Sequence, residues 1–429
     1  GSYQNFYTSD THTVILNGSE KQTVSIYYNS KENSRINNFK ITNTSDEGVT
    51  FADSIYVVDK LYNTDTNLTN SSYIYASNST QIVDAQWDHS ITFAENRTID
   101  ENTIINGDLY IIGGTTVLEA DLNIENTLYL NSCTLNLNGY TLTVNNDLYL
   151  SANGSTTYLK INKGKLYVNG NFNMQRINGN YGEGYLTMVN SEDYICVNGD
   201  FTVNVWYSGN KLTDGVIEVK GDFTQKRRGN AYTFNPSGNH KVILSGETLQ
   251  TVTFAETESG FNILEIKNTS EEGIVFATSV TIKELIDNGC NVSFANGERS
   301  GWTLEKDEVI TGDVNLARGT LDLNGHKLTI TGNLIHSGGT ILVNGGELEV
   351  QGDYRVQSVN GTSYANSAGI LNMTNEADTV KVLGDFVMQS TQSHKGKLTS
   401  GTLEVGGDLT ELSGGSYQNF YTSDTHTVI

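Results

Sequence analysis

Residues 319–338 read GTLDLNG, HKLTITG, NLIHSG, and residues 339–358 read GTILVNG, GELEVQG, DYRVQS. These are two rows of 20 residues in register: Leu321 falls over Ile341, Leu323 over Val343, Leu328 over Leu348 and Ile330 over Val350. Within each segment apolar and polar residues alternate, the period-two pattern of a strand with one buried face. All eight apolar residues are therefore expected to point inward. Gly or Asn-Gly closes most segments, as corners requiring positive φ would demand, since Gly adopts it without strain and Asn tolerates it. The rows predict an all-β chain, a parallel β-helix or solenoid with coils of about 20 residues.

The same punctuation recurs at Gly107-Asp108, Asn169-Gly170, Asn198-Gly199-Asp200, Gly221-Asp222, Gly384-Asp385 and Gly407-Asp408. The longer interval between Gly352 and Gly384 fits a coil carrying a polar surface loop, SVNGTSYANSAG. No apolar stripe of helical period is present.

Displaced matches extend the repeat to the whole chain. THTVILNG at 11–18 matches NHKVILSG at 239–246, a displacement of 228, and ITNTSDEGVTFA at 41–52 matches IKNTSEEGIVFA at 266–277, a displacement of 225. INGD at 105–108 matches ITGD at 310–313, a displacement of 205. CTLNLNGYTLTV at 133–144 matches GTLDLNGHKLTI at 319–330, and GVIEVKGDFT at 215–224 matches GTLEVGGDLT at 401–410, both displaced by 186. The displacement falls in steps of 20 and 19, the size of one coil. A solenoid loses or gains whole turns because each turn stacks only on its neighbours. A β-sandwich array, the rival fold, would not produce such rows.

Residues 1–15, GSYQNFYTSDTHTVI, return unchanged as 415–429. The chain thus divides into a first half-repeat, 1–228, a diverged second, 229–414, and the start of the next 414-residue period, 415–429. The stop at THTVI falls within a strand, so the ladder is expected to continue into another copy. Tandem copies in one polypeptide are favoured over end-to-end docking of separate chains.

Composition agrees. The chain has 43 glycines and a single proline, Pro236, and a nearly proline-free sequence suits uninterrupted ladders. The formal net charge of −23 speaks against a nucleic-acid partner and against anionic membrane surfaces. No apolar run is long enough to span a bilayer. Cys133, Cys196 and Cys290 are too few and too scattered for a disulfide framework and are expected as free thiols.

The phrases TLDLNGHKLTITGNL, GTILVNGGELEVQGDY and GTLEVGGDLT resemble the repeat regions of large clostridial-type cell-surface proteins, and they are similar to filamentous-haemagglutinin-like β-solenoid adhesins. The resemblance implies a right-handed coil and a secreted, surface-attached or filamentous bacterial product. It carries over no functional residue.

Candidate chemistry is sparse. Glycoside hydrolysis needs two carboxylates facing one cleft, and lyase chemistry needs clustered acids with a base. The nearest cluster is Asp84, Trp87, Asp88 and His89, for which a coil-edge tryptophan with solvated charges is the plainer reading. The Gly-Asp aspartates line up along the chain, but without a dense acidic nonapeptide they are expected to bond their own backbone rather than calcium. His12, His240 and His426 precede equivalent strands without metal-spaced partners, and are expected at coil edges. Lys226-Arg227-Arg228 is a lone basic run in a loop. Sequons occur at Asn17, Asn43, Asn67, Asn78, Asn96, Asn153, Asn268, Asn291, Asn360 and Asn372, as chance allows in an Asn- and Thr-rich chain. Tyr27, Tyr28, Tyr73, Tyr75, Tyr181 and Tyr185 are expected to stack within the coils, with glycan or lateral contacts as the alternative.

The expectation is a structural, non-catalytic repeat segment of an extracellular filament or surface stalk, without catalytic, cofactor or metal residues. Its partners would be copies of itself, with surface glycans as a further class. The alternative is a secreted carbohydrate-active β-helix enzyme, a polysaccharide lyase or glycosidase.

Overall fold

The computed structural model describes residues 6–26, 31–176, 183–205, 211–226, 233–256, 259–278, 280–286, 288, 290, 292–293, 302–304, 306–316, 319–360, 363–415 and 418–429. The chain is an all-β solenoid of about 17 coils averaging ~22 residues, built from parallel strands. Helical content among the described residues is two three-residue turns, Ser71–Tyr73 and Val83–Ala85. The chain forms two compact units, Gly1–Ile217 and Glu218–Ile429.

In the first unit the regular coils have three sides. Strands Leu109–Ile111, Thr115–Leu118 and Leu122–Ile124 make one coil, and Leu128–Asn131, Thr134–Asn136 and Thr141–Val144 make the next. Leu109 lies opposite Leu128 and Leu128 opposite Leu148, steps of 19 and 20 residues. Ile105, Ile124 and Val144 form a second column on another side. All six are fully buried, and burying a side chain of this size contributes roughly 2 kcal/mol. Coils lengthen where a corner loop grows, as between Phe172 and Phe201, while the strands keep their register.

The second unit repeats the plan over the rows that first suggested it. Leu321 pairs with Ile341, Leu328 with Leu348 and Ile330 with Val350. These six, with Leu323 and Val343, are fully buried as expected. The SVNGTSYANSAG segment is more ordered than a loop. Tyr354–Asn360 runs beyond its coil and turns back as Ser363–Asn366 in an antiparallel pair.

Two features depart from the sequence expectation. First, some coils have two sides rather than three. In the first unit Thr13–Leu16 with Gln22–Val24, Ile36–Ile41 with Val49–Phe51, and Ile55–Leu61 with Leu68–Thr69 each make a coil from one long and one short strand. In the second unit Lys241–Leu244 with Gln250–Phe254, and Gly260–Ile266 with Ile274–Phe276, do the same.

Second, glycine closes the corners for two reasons. Asn324 and Gly325 have φ of 47° and 80°, the positive-φ corner expected. Gly352 does not; there a Cβ would lie 2.5 Å from Asn333 Oδ1 and 2.8 Å from Gly332 O. At the Gly-Asp corners it is close coil-to-coil approach that excludes a side chain.

Candidate functional site

The Asp84–His89 segment closes into a structural corner. Asp84, at φ 60°, points to solvent from a turn. Trp87 is fully buried opposite Ile105, and its indole N–H donates to Ser90 O at 3.2 Å. The Asp88 carboxylate accepts from the side-chain amides of Asn63 at 2.7 Å, Gln86 at 2.8 Å and Asn106. Burial pushes the Asp88 pKa up, but the Gln86, Asn63 and Asn106 donors and neighbouring His89 outweigh it and hold the group below 3.8. His89 is desolvated, which lowers its pKa despite the contact of Nε2 with Thr64 O at 3.0 Å and the charge of Asp88. The arrangement is an ionised carboxylate saturated by amides beside a neutral imidazole. It has the partners of a corner brace, not those of an acid poised to give up a proton.

The Gly-Asp aspartates do not turn back on their own backbone. Asp313 Oδ1 accepts the N–H of Asn333 at 2.7 Å, Asn333 Oδ1 that of Asp353 at 2.8 Å, Asp353 Oδ1 that of Asp385 at 2.9 Å, and Asp385 Oδ1 that of Asp408 at 2.9 Å. Each side chain stitches its coil to the next. The Asp385 N–H, with Arg355 at 2.8 Å, holds the Asp353 carboxyl below the ordinary range against the effect of burial. The expectation that these residues bond their own turn is thus corrected: the coil spacing puts the next N–H closer to hand. No group of three or more His, Cys, Asp or Glu placed to hold a metal ion occurs among the described residues.

A buried polar network recurs in both units. Gln22 Oε1 accepts from Gly18 N–H and from Asn43 Nδ2, both at 2.9 Å, and Asn43 Oδ1 accepts Ser45 N–H at 2.8 Å. In the second unit Gln250 Oε1 accepts from Gly246 N–H at 2.7 Å and Asn268 Nδ2 at 3.0 Å, and Asn268 Oδ1 accepts Ser270 N–H at 2.8 Å. Asn43 and Asn268 are 5% and 4% exposed. Buried amides with both ends engaged are closed to glycosylation in the folded chain, so these two sequons are structural. Asn17, Asn67, Asn78, Asn96 and Asn153 are exposed and Asn372 is half-buried. Asn291 and the Asn360 side chain lie outside the described residues.

The equivalent histidines occupy three different settings. His12 is exposed, His240 is fully buried 6.4 Å from the Phe234 ring, and half-buried His426 contacts Ser400 O at 3.0 Å. The coil-edge expectation therefore fails for His240, which packs among aromatic rings.

Tyrosine stacking is present, most regularly at Tyr110, Tyr129 and Tyr149, with ring centroids 4.6 and 5.2 Å apart and nearly parallel planes. Tyr56 with Tyr75 and Tyr158 with Tyr185 also meet across coils. Tyr73 is exposed. Tyr27, Tyr28, Tyr181, Arg227 and Arg228 lie outside the described residues. The three cysteines are free, and burial pushes the Cys133 thiol up to about 12.

Two features had no sequence signal. His336, Tyr354 and His394 are fully buried together with Ser367 and Ser390. The His336 Nδ1–Tyr354 Oη distance is 3.0 Å, and Leu371 N–H donates to His394 Nε2 at 3.1 Å. Without access for a substrate, this is a core polar cluster. The largest cavity is an open groove of about 920 Å³ in the first unit, bordered by Thr80, Gln81, Asn96, Arg97, Asp100 and Glu101. Arg97 lies 4.4 Å from the Phe93 ring and donates to Ser77 O at 3.0 Å and Thr80 O at 2.6 Å. Desolvation lowers its pKa to about 10, partly opposed by Asp100.

No helix among the described residues is long and apolar enough to cross a membrane. No protein-family model, curated protein or solved structure matches the chain.

Proposed function

We propose that this chain is a structural repeat segment of an extracellular filament or surface stalk, non-catalytic, and self-associating or adhesive. The observation that carries the reading is the duplication of scaffold without duplication of a reactive group. Both units repeat the two-sided coils and the Gln–Asn network, while the Asp84–His89 corner has no counterpart in the second half and has its carboxylate saturated by amides. The resemblance to clostridial-type surface proteins and haemagglutinin-like adhesins supports an extracellular place. Adhesion is supported by the Tyr354–Asn366 hairpin, where Val359 and Tyr364 are 53% and 51% exposed.

The polar groove beside Arg97, with Asp100 and Glu101 at its rim, favours the second reading, a carbohydrate-active enzyme. One experiment separates the two. The chain is incubated with a panel of acidic and neutral polysaccharides, and new reducing ends and unsaturated products are measured. The structural reading expects neither. Cleavage abolished by Asp84→Ala/Asp88→Asn/His89→Ala, or by Asp100→Asn/Glu101→Gln, would overturn it.

A further inference from the structure

The segment QNFYTSDTHTVI occurs twice, at 4–15 and 418–429, and the fold shows opposite edges of its strand. In the second unit Thr427 and Val428 pair in parallel with Thr402 and Leu403 of the preceding coil. Ile429 N–H donates to Leu403 O and Val405 N–H to Ile429 O, both at 2.9 Å. Phe420 sits 6.0 Å from the Phe386 ring. In the first unit the same residues carry the following coil: Val14 lies opposite Phe39 and Leu16 opposite Ile41.

There Thr13–Leu16 is the outermost strand of its sheet. Phe6 and Ile15 are 45% and 51% exposed, and Val14, Leu16, Val24, Ile36 and Phe39 border an open hollow of about 410 Å³. One sequence thus has a preceding coil on one edge and a following coil on the other.

The second unit contains a precedent for the complete junction. Lys241–Leu244 is the counterpart of Thr13–Leu16, and the coil before it contains Val219 and Gly221, the counterparts of Val405 and Gly407. Ser245 N–H donates to Val219 O at 3.0 Å. Gln250 Nε2 donates to Val219 O at 3.1 Å and Gly221 O at 2.6 Å, so the side chain ties the coil beneath to the Asn268 network above. Gln22 makes the same bonds through Oε1, but its Nε2 has no protein partner among the described residues. Gln250 is 1% exposed and Gln22 half-buried.

We infer that this bare face binds the Thr402–Thr410 coil of a second copy of the chain. Thr13 and Val14 lie opposite Thr402 and Leu403 of that copy, and Gln22 Nε2 donates to its Val405 O and Gly407 O. The inference rests on the self-associating reading above and adds its residues and register. Within each chain residues 418–429 already occupy that coil, so docking is an exchange of identical segments. The incoming segment adds Leu16, Gln22 and Val24 to the contact, which favours the exchange.

The test is sedimentation of the full chain over a wide concentration range, with circular dichroism confirming the fold. Thr427→Pro removes the N–H that donates to Gly401 O and loosens the resident segment. It is expected to strengthen association about tenfold. In that background Gln22→Ala weakens it again by about tenfold, and Val14→Asp abolishes it. A Thr427→Pro chain that stays monomeric throughout overturns the inference. So does association that neither Gln22→Ala nor Val14→Asp reduces; that result leaves self-association standing through another face. Polysaccharide cleavage would defeat the functional reading whatever the sedimentation shows.

Discussion

Asn268 donates its side-chain amide to Gln250 Oε1 at 3.0 Å inside a closed core, and 225 residues earlier Asn43 makes the same bond to Gln22 at 2.9 Å. A buried amide pair of this kind stabilises only while every atom has its partner. Asn268→Ala strips Gln250 Oε1 of one donor and leaves Thr248 O and Ser270 N–H without partners. It is expected to cost about 3 kcal/mol. Asn43→Ala, beside a half-buried Gln22 that water reaches, should cost about 2 kcal/mol. Urea unfolding at unchanged slope measures both, and equal small losses would contradict a shared structural role.

The two kinds of corner glycine separate by substitution. Gly325 has φ of 80° and open space at its Cβ position. Gly325→Asn should therefore cost under about 1 kcal/mol, since Asn tolerates that conformation. Gly352→Ala presses a methyl group onto the Gly332 backbone and is expected to cost about 3 kcal/mol. Midpoints of thermal unfolding should fall in that order.

Acid should weaken the second unit before its carboxylates titrate. Burial lowers His336 from 6.5 to about 3 and His394 from 6.5 to about 4. In each case the fold prefers the neutral ring. The stability this contributes is fully present above pH 6.5 and is lost as pH falls toward those lower values. The imidazole resonances of both should hold their neutral positions at pH 5, and unfolding free energy should decline from pH 6.5 downward. Ring signals titrating near 6.5 would show that the cluster is open to water.

The rows at 319–358 were legible because every structural demand there leaves its own mark: alternation for the buried face, Asn-Gly for the corner, and a 20-residue step for the coil. The two-sided coils were not, because Thr13–Val24 and Lys241–Phe254 lack the glycine that marks a third side. The network was hidden behind the sequons: Asn43 and Asn268 read as glycosylation acceptors until the fold closes over them. At Gly352 the residue was legible and its cause was not, since a chain read alone has no neighbouring coil to collide with. Of the candidate chemistry, only grouping in sequence was visible; the Asn63 and Asn106 donors that saturate Asp88 come from adjacent coils.

Asp88 offers a direct check on the corner-brace description. Its amide donors favour the charged form, so its carboxyl should titrate below 3.8. The stability it contributes is present above 3.8 and is lost as pH falls through that lower midpoint. Asn63→Ala should move the midpoint upward in a carbon-detected NMR titration. A midpoint well above 4 in the parent chain would restore Asp88 as a candidate acid.

Parallel stacking of one coil on the next, in the register that sets Lys327 against Glu347, is the claim on which everything else stands. Facing residues of adjacent parallel strands lie about 4.8 Å apart, within the span a disulfide bridges. Mild oxidation of a Lys327→Cys/Glu347→Cys chain should therefore close the cross-link fully without change in circular dichroism. A Lys327→Cys/Thr379→Cys chain, with its two sites one coil further apart, should stay reduced. Efficient closure of the second pair, or none of the first, would contradict the solenoid.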